Sequence, residues 1–184
     1  MRRLQFITLV ISLIFLSFGI VFAADNAVQV ATPQPWGAWS WQTHLPGGPD
    51  VPALVTIYQD GTVAVSDATM FGGLLGLTVR ATPLHGVWER TGPHSIGGTS
   101  LYLVFDTNLN RMIGFGRART ALEFPIGSSD QFQGTMFLDF LVCPTPVTCP
   151  DPLDPFAQWG PYNPQFPSFS VSAKRIRRVD VGLL

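Results

Sequence analysis

The chain has 184 residues, with 11 Lys and Arg against 12 Asp and Glu and a formal net charge of −1 at pH 7. Apolar residues make up 46% and charged ones only 12%, which is too apolar for a disordered chain and too poor in Lys and Glu for a helical bundle. A near-neutral balance provides no general pull toward phosphate backbones, so nucleic acid is excluded as a partner and an all-β class is expected.

Arg2 and Arg3 precede an apolar run from about Phe6 to Phe22, followed by Val21-Phe22-Ala23 and then Ala24-Asp25. A basic end, an apolar middle and a small-residue cleavage site form a secretory signal over residues 1–23, so the mature protein is expected to be secreted or periplasmic. Retention of the run as a membrane anchor is the competing reading, because its length approaches a span of about 20 residues. Residues 24–35 carry Pro33 and Pro35 and read as an extended lead-in to one domain over 36–184.

Strand one is expected over Trp36 to His44, closed by the turn Leu45-Pro46-Gly47-Gly48-Pro49-Asp50. Asp60-Gly61 between Ala53 to Gln59 and Thr62 to Ser66 predicts a hairpin. Ala68 to Thr82 contains Gly72, Gly73 and Gly76, which weaken helix and strand alike, so an apolar loop or short helical turn is expected at one barrel mouth. Further strands are predicted over Leu84 to Thr91, Thr99 to Asp106, Met112 to Phe124, Gln131 to Val142 and Ser168 to Val179. That makes about eight, enough to close an antiparallel up-and-down barrel. Gly37-Ala38-Trp39 returns as Gly86-Val87-Trp88, suggesting two similar four-strand halves.

On the long strand Met112 to Phe124, Arg117 and Arg119 share one face and Gly114, Gly116 and Ala118 the other. A buried unpaired charge is expensive, so the arginines are expected outside and the small residues toward the lumen. Between the last two strands runs a Pro-rich loop over 143–167, in which Cys143 and Cys149 flank five residues and suit a local disulfide in an oxidising compartment.

A Gly-x-Trp on the first strand with a basic residue on the last, available to lie across the indole, resembles the signature of calycin-type barrels such as lipocalins. Gly37 and Trp39 match the first part, and Lys174 or Arg175 supplies the cation. The rhythm is also similar to the barrels of allene oxide cyclases and dirigent proteins. Two lipocalin features are missing: the Thr-Asp-Tyr-type loop motif, and a helix before the last strand, where this chain has prolines. The resemblance implies a ligand chamber lined by Trp39, Trp41, Tyr58, Trp88, Phe105 and Met136, with Gly37, Gly86 and Arg175 in structural roles. Its other branch implies a cyclase using a carboxylate in the cavity, for which Glu89, Glu123 and Asp139 lie on predicted strands.

Catalytic motifs are not found. There is no Gly-x-Ser-x-Gly elbow, and Gly72-Gly73 and Gly97-Gly98 lack the Lys or helix start of a phosphate cradle. His44 and His94 fall in comparable turns and invite a metal site with Asp50, but no ligand spacing supports one, so no metal or cofactor is assigned. Three functions remain open: an exported carrier of a small apolar or amphipathic ligand, a cyclase using Glu89, or an envelope interaction protein presenting Asp151 to Phe169.

Overall fold

The computed structural model describes residues 32–71, 78–145, 147–161 and 168–177. The expected signal over 1–23, the lead-in as far as residue 31, the middle of the Gly-rich segment, Tyr162 and Phe166 lie outside the described residues. From Thr32 onward the chain forms one compact unit.

Eight long strands make the wall: β1 (Gly37–His44), β2 (Val51–Ile57), β3 (Thr62–Asp67), β5 (Leu84–Gly92), β6 (Ser95–Asp106), β7 (Arg111–Glu123), β8 (Gln131–Val142) and β10 (Phe169–Arg175). Each pairs antiparallel with its neighbour, and β10 inserts between β8 and β1, so the sheet closes on itself with no open edge in the ring. The short strand β4 (Val79–Ala81) continues the ladder of β5 along β6 beyond an interruption at Thr82-Pro83. Where β8 runs past the start of β10, β9 (Gly160–Pro161) takes over that edge. The fold is therefore the expected all-β, antiparallel eight-strand barrel.

Alternation determines which side chains go inside. Trp39, Trp41 and Thr43 on β1, Val51 to Ile57 at odd positions on β2, and Val171 and Ala173 on β10 are buried, while Ala38, Ser40 and Leu54 are exposed. Asp60 makes the β2–β3 hairpin turn by accepting hydrogen bonds from the Thr62 backbone N–H at 2.9 Å and its hydroxyl at 2.7 Å, which hold its carboxyl below the ordinary value. Gly61 in this turn has φ +89° and supplies the left-handed residue the Asp-Gly pair was expected to give.

One end of the barrel is stoppered. Trp39 is fully buried, packs on Phe132 at 4.6 Å and Phe124 at 6.0 Å between ring centroids, and donates its indole N–H to the Pro35 carbonyl at 2.9 Å. The Arg175 guanidinium lies 4.2 Å from the Trp39 ring and donates to the carbonyls of Trp36 and Gln34. Burial lowers the Arg175 pKa, and the ring face and carbonyls offset the lost hydration. Gly37, at φ +129°, leaves no room for a Cβ, which would sit 2.7 Å from the Arg175 Nη1. The lead-in therefore does more than connect: Pro33 and Pro35 are buried beneath the barrel, and Arg90 donates to the Pro33 carbonyl.

The expected halves are unequal. Gly86 and Trp88 stand on β5, the fourth strand of the ring, with three strands before them. Gly86 is extended, and a Cβ there would meet the Thr99 carbonyl at 2.1 Å, so its role is close strand approach and differs from that of Gly37.

Candidate functional site

The end of the barrel opposite Trp39 holds a cavity. It has a volume of about 150 Å³ and is walled mainly by apolar side chains, among them Val51, Leu84, Val104, Met136, Leu138 and Phe169. A deeper lobe of about 70 Å³ reaches toward Trp41, Val55, Trp88 and Ile96. Thr43, Asp67, Leu84 and Met136 border both lobes. An apolar cavity of about 150 Å³ is large enough to take a single aromatic ring.

The chamber exists because the inward faces of β6 and β7 are cut down to small residues. Gly98, Ser100, Ala118 and Thr120 face the deep lobe. Nearer the mouth, the Tyr102 ring leans over Gly116, where a Cβ would be 2.0 Å from the ring, and Phe140 similarly covers Gly114. The segment after β3 forms part of the mouth: a 3-10 turn over Ala68–Phe71 and β4 contribute Thr69, Val79 and Ala81 to the wall.

The six predicted lining residues divide. Trp41, Trp88 and Met136 border the chamber. Trp39 lies in the packed floor among Phe124 and Phe132 instead. Tyr58 is 47% exposed, because it follows β2 at the stoppered end, where its carbonyl accepts the Trp88 indole N–H at 2.8 Å. Phe105 is also not in the chamber wall: Tyr102 and Val104 take the inward positions of β6, the register shifts at Val104/Phe105, and Phe105 receives the Arg80 guanidinium 5.6 Å from its ring. Of the structural residues, Gly37 and Arg175 frame the floor, Gly86 permits strand approach, and the basic partner of Trp39 is Arg175 while Lys174 is exposed.

Sequence reasoning missed Asp67. It ended β3 at Ser66, whereas the strand runs one residue further and places Asp67 on the inward face after Val63 and Val65. Continuing that alternation by one step would have found it. Glu89 and Glu123 are exposed, so neither supplies a carboxylate to the chamber.

Asp139 lies on the outside, where Arg117 and Arg119 both hydrogen-bond it, at 2.9 and 2.8 Å, confirming that the arginines face away from the lumen. The excursion after β8 covers this group: Trp159 stacks on the Arg117 guanidinium at 4.3 Å, and Cys143 and Cys149 are disulfide-bonded with Cα atoms 4.4 Å apart. Burial pushes the Asp139 carboxyl up, but the hydrogen bonds and charges of Arg119 and Arg117 outweigh it and hold the pKa below its ordinary value of 3.8. A depressed carboxylate contributes stability that is present above the unfolded pKa and lost as pH falls through the folded one. Urea unfolding followed from about pH 5 to about pH 2 will show stability falling more steeply in the native protein than in Asp139→Asn.

His44 and His94 do not form a metal site. The β1–β2 and β5–β6 turns lie at opposite ends of the up-and-down barrel. His44 bonds Asp50 at 2.9 Å and Ser172 at 3.0 Å, and among the described residues no cluster of His, Cys, Asp and Glu could hold a metal ion. A larger hollow of about 680 Å³, bordered by His44, Glu123, Gln133 and Ser172, is an open saddle on the outer surface of the coiled sheet. No helix among the described residues is long and apolar enough to cross a membrane.

Comparison with known proteins returns no matching family model, no matching curated protein and no matching solved structure.

Proposed function

We propose that the protein is an exported carrier that binds a small apolar or amphipathic molecule in the barrel lumen. The observation that carries this reading is the contrast between the two ends: a floor packed with Trp39, Phe124 and Phe132, and an apolar chamber of about 150 Å³ toward the other. A barrel built only for stability gains by filling its interior, since each void forfeits dispersion contacts. Here glycines and small residues on β6 and β7 keep the space open. The Gly37, Trp39 and Arg175 arrangement supports a lipocalin-like barrel within the calycin type. The Cys143–Cys149 disulfide fits an oxidising compartment outside the cytoplasm.

Toluene is a suitable first probe, because its ring matches the chamber volume. At 100 times its dissociation constant a ligand specific for the folded state stabilises by about 2.7 kcal/mol, so saturating toluene will raise the midpoint of thermal unfolding by several degrees. Leu84→Trp, which places an indole in the wall shared by both lobes, will abolish that rise. A native protein that no lipophile stabilises would overturn the carrier reading.

A second reading, an envelope protein that presents a surface to a partner, draws on the excursion after β8, where Val147, Leu153 and Phe156 are 91%, 77% and 82% exposed. It is favoured over carriage if Leu84→Trp leaves the biological role intact while Phe156→Ser removes it.

A further inference from the structure

We propose that Asp67 is the head-group acceptor of the chamber and that the ligand is a compact apolar molecule ending in a primary amine, an arylalkylamine in chemical class. This rests on the carrier reading and names its ligand.

Asp67 borders both lobes of the cavity and is partly buried. Its Oδ1 accepts the Thr69 backbone N–H at 2.8 Å and the Thr69 hydroxyl, which fixes the carboxylate plane at the mouth. That local turn uses one oxygen. Oδ2 has no protein partner among the described residues, so a carboxylate oxygen with free acceptor capacity sits in a wall otherwise dominated by aliphatic and aromatic side chains. Partly buried at the mouth, that oxygen is open to a ligand ammonium, which would pair it through a charge-assisted hydrogen bond.

The other polar groups of the chamber leave the choice of sign to Asp67. The Thr43 hydroxyl accepts the Trp41 indole N–H at 3.0 Å, and Thr43, Thr69, Ser100 and Tyr102 are neutral. Among the described lining residues the one cation is Arg80, which is exposed and lies over the Phe105 ring. Among the described lining residues Asp67 is therefore the one acidic group, and Arg80 at the rim is engaged with the Phe105 ring. Such a site attracts an ammonium through a charge-assisted hydrogen bond and repels a carboxylate of the same shape, so one group sets both affinity and selectivity. The about 150 Å³ of the outer lobe limits the body of the ligand to roughly one ring.

Four ligands with the same ring separate these contributions: toluene, benzyl alcohol, benzylamine and benzoate, titrated calorimetrically into the purified protein at neutral pH. Benzylamine is expected to bind at least about tenfold more tightly than toluene, with benzyl alcohol between them and benzoate weakest. Asp67→Asn keeps the oxygen that Thr69 needs and removes the charge. It is expected to bring benzylamine to within about threefold of toluene while leaving toluene itself unchanged. Toluene binding with no preference for the amine, or a preference that survives Asp67→Asn, overturns this inference and leaves the carrier reading standing. Failure of all four compounds to bind the native protein overturns both. The native series does not depend on the variant folding.

Discussion

Trp39→Ala will destabilise the barrel by about 3–5 kcal/mol, the range for emptying a fully buried large aromatic position. The indole is 0% exposed, packs on Phe124 and Phe132, and bonds the Pro35 carbonyl. Its loss removes the floor, the anchor of the lead-in and the surface over which Arg175 lies. Arg175→Met will be less damaging on its own. A desolvated cation over an indole contributes about 2 kcal/mol, and the carbonyls of Trp36 and Gln34 lose a charged donor. Because the two side chains are in direct contact at 4.2 Å, their effects will not add. A double-mutant cycle of Trp39→Leu and Arg175→Met, read by urea unfolding, will give a coupling of about 1–2 kcal/mol; a coupling of zero would mean the stacked geometry contributes nothing.

Gly134→Val will be comparably damaging for a different reason. A Cβ at position 134 would lie 2.0 Å from the Ala121 carbonyl oxygen and 2.9 Å from the Leu122 Cα. Both are backbone of β7, so no side-chain rotation relieves the clash, and the β7–β8 pairing must open locally. Overpacking of this kind costs about 1–3 kcal/mol or more. At Gly160, by contrast, a Cβ meets nothing within 4 Å, and Gly160→Ala will stay within about 0.5 kcal/mol of the native protein. Equal destabilisation by the two substitutions would show that the β7–β8 approach is not constrained as described.

The barrel was largely legible in the sequence because strands and turns are local. Asp60-Gly61 fixes a hairpin through its own chemistry, and the alternation of Trp39, Trp41 and Thr43 assigns faces without knowledge of any partner. The outward placement of Arg117 and Arg119 followed from the cost of burying charge, although their shared partner Asp139, 20 and 22 residues away in sequence, did not. The chamber was harder to read. Whether an inward side chain meets a void or another side chain depends on how eight strands tilt past each other, which no single strand encodes. Trp39 and Met136 are both inward, yet one is packed floor and the other chamber wall. Phe105 was placed inside although alternation with Ser100, Tyr102 and Val104 turns it outward, and Asp67 was overlooked for one residue of strand length.

The closing strand is also the last to be made. β10 supplies the partner for β1 along Trp39 to His44 and for β8 along Gln131 to Met136. Until it arrives, two bare edges more than 80 residues apart in the chain must wait, each able to recruit a strand from another molecule. Closing this barrel therefore rests on pairings between strands far apart in the chain, the kind of contact that makes folding slow.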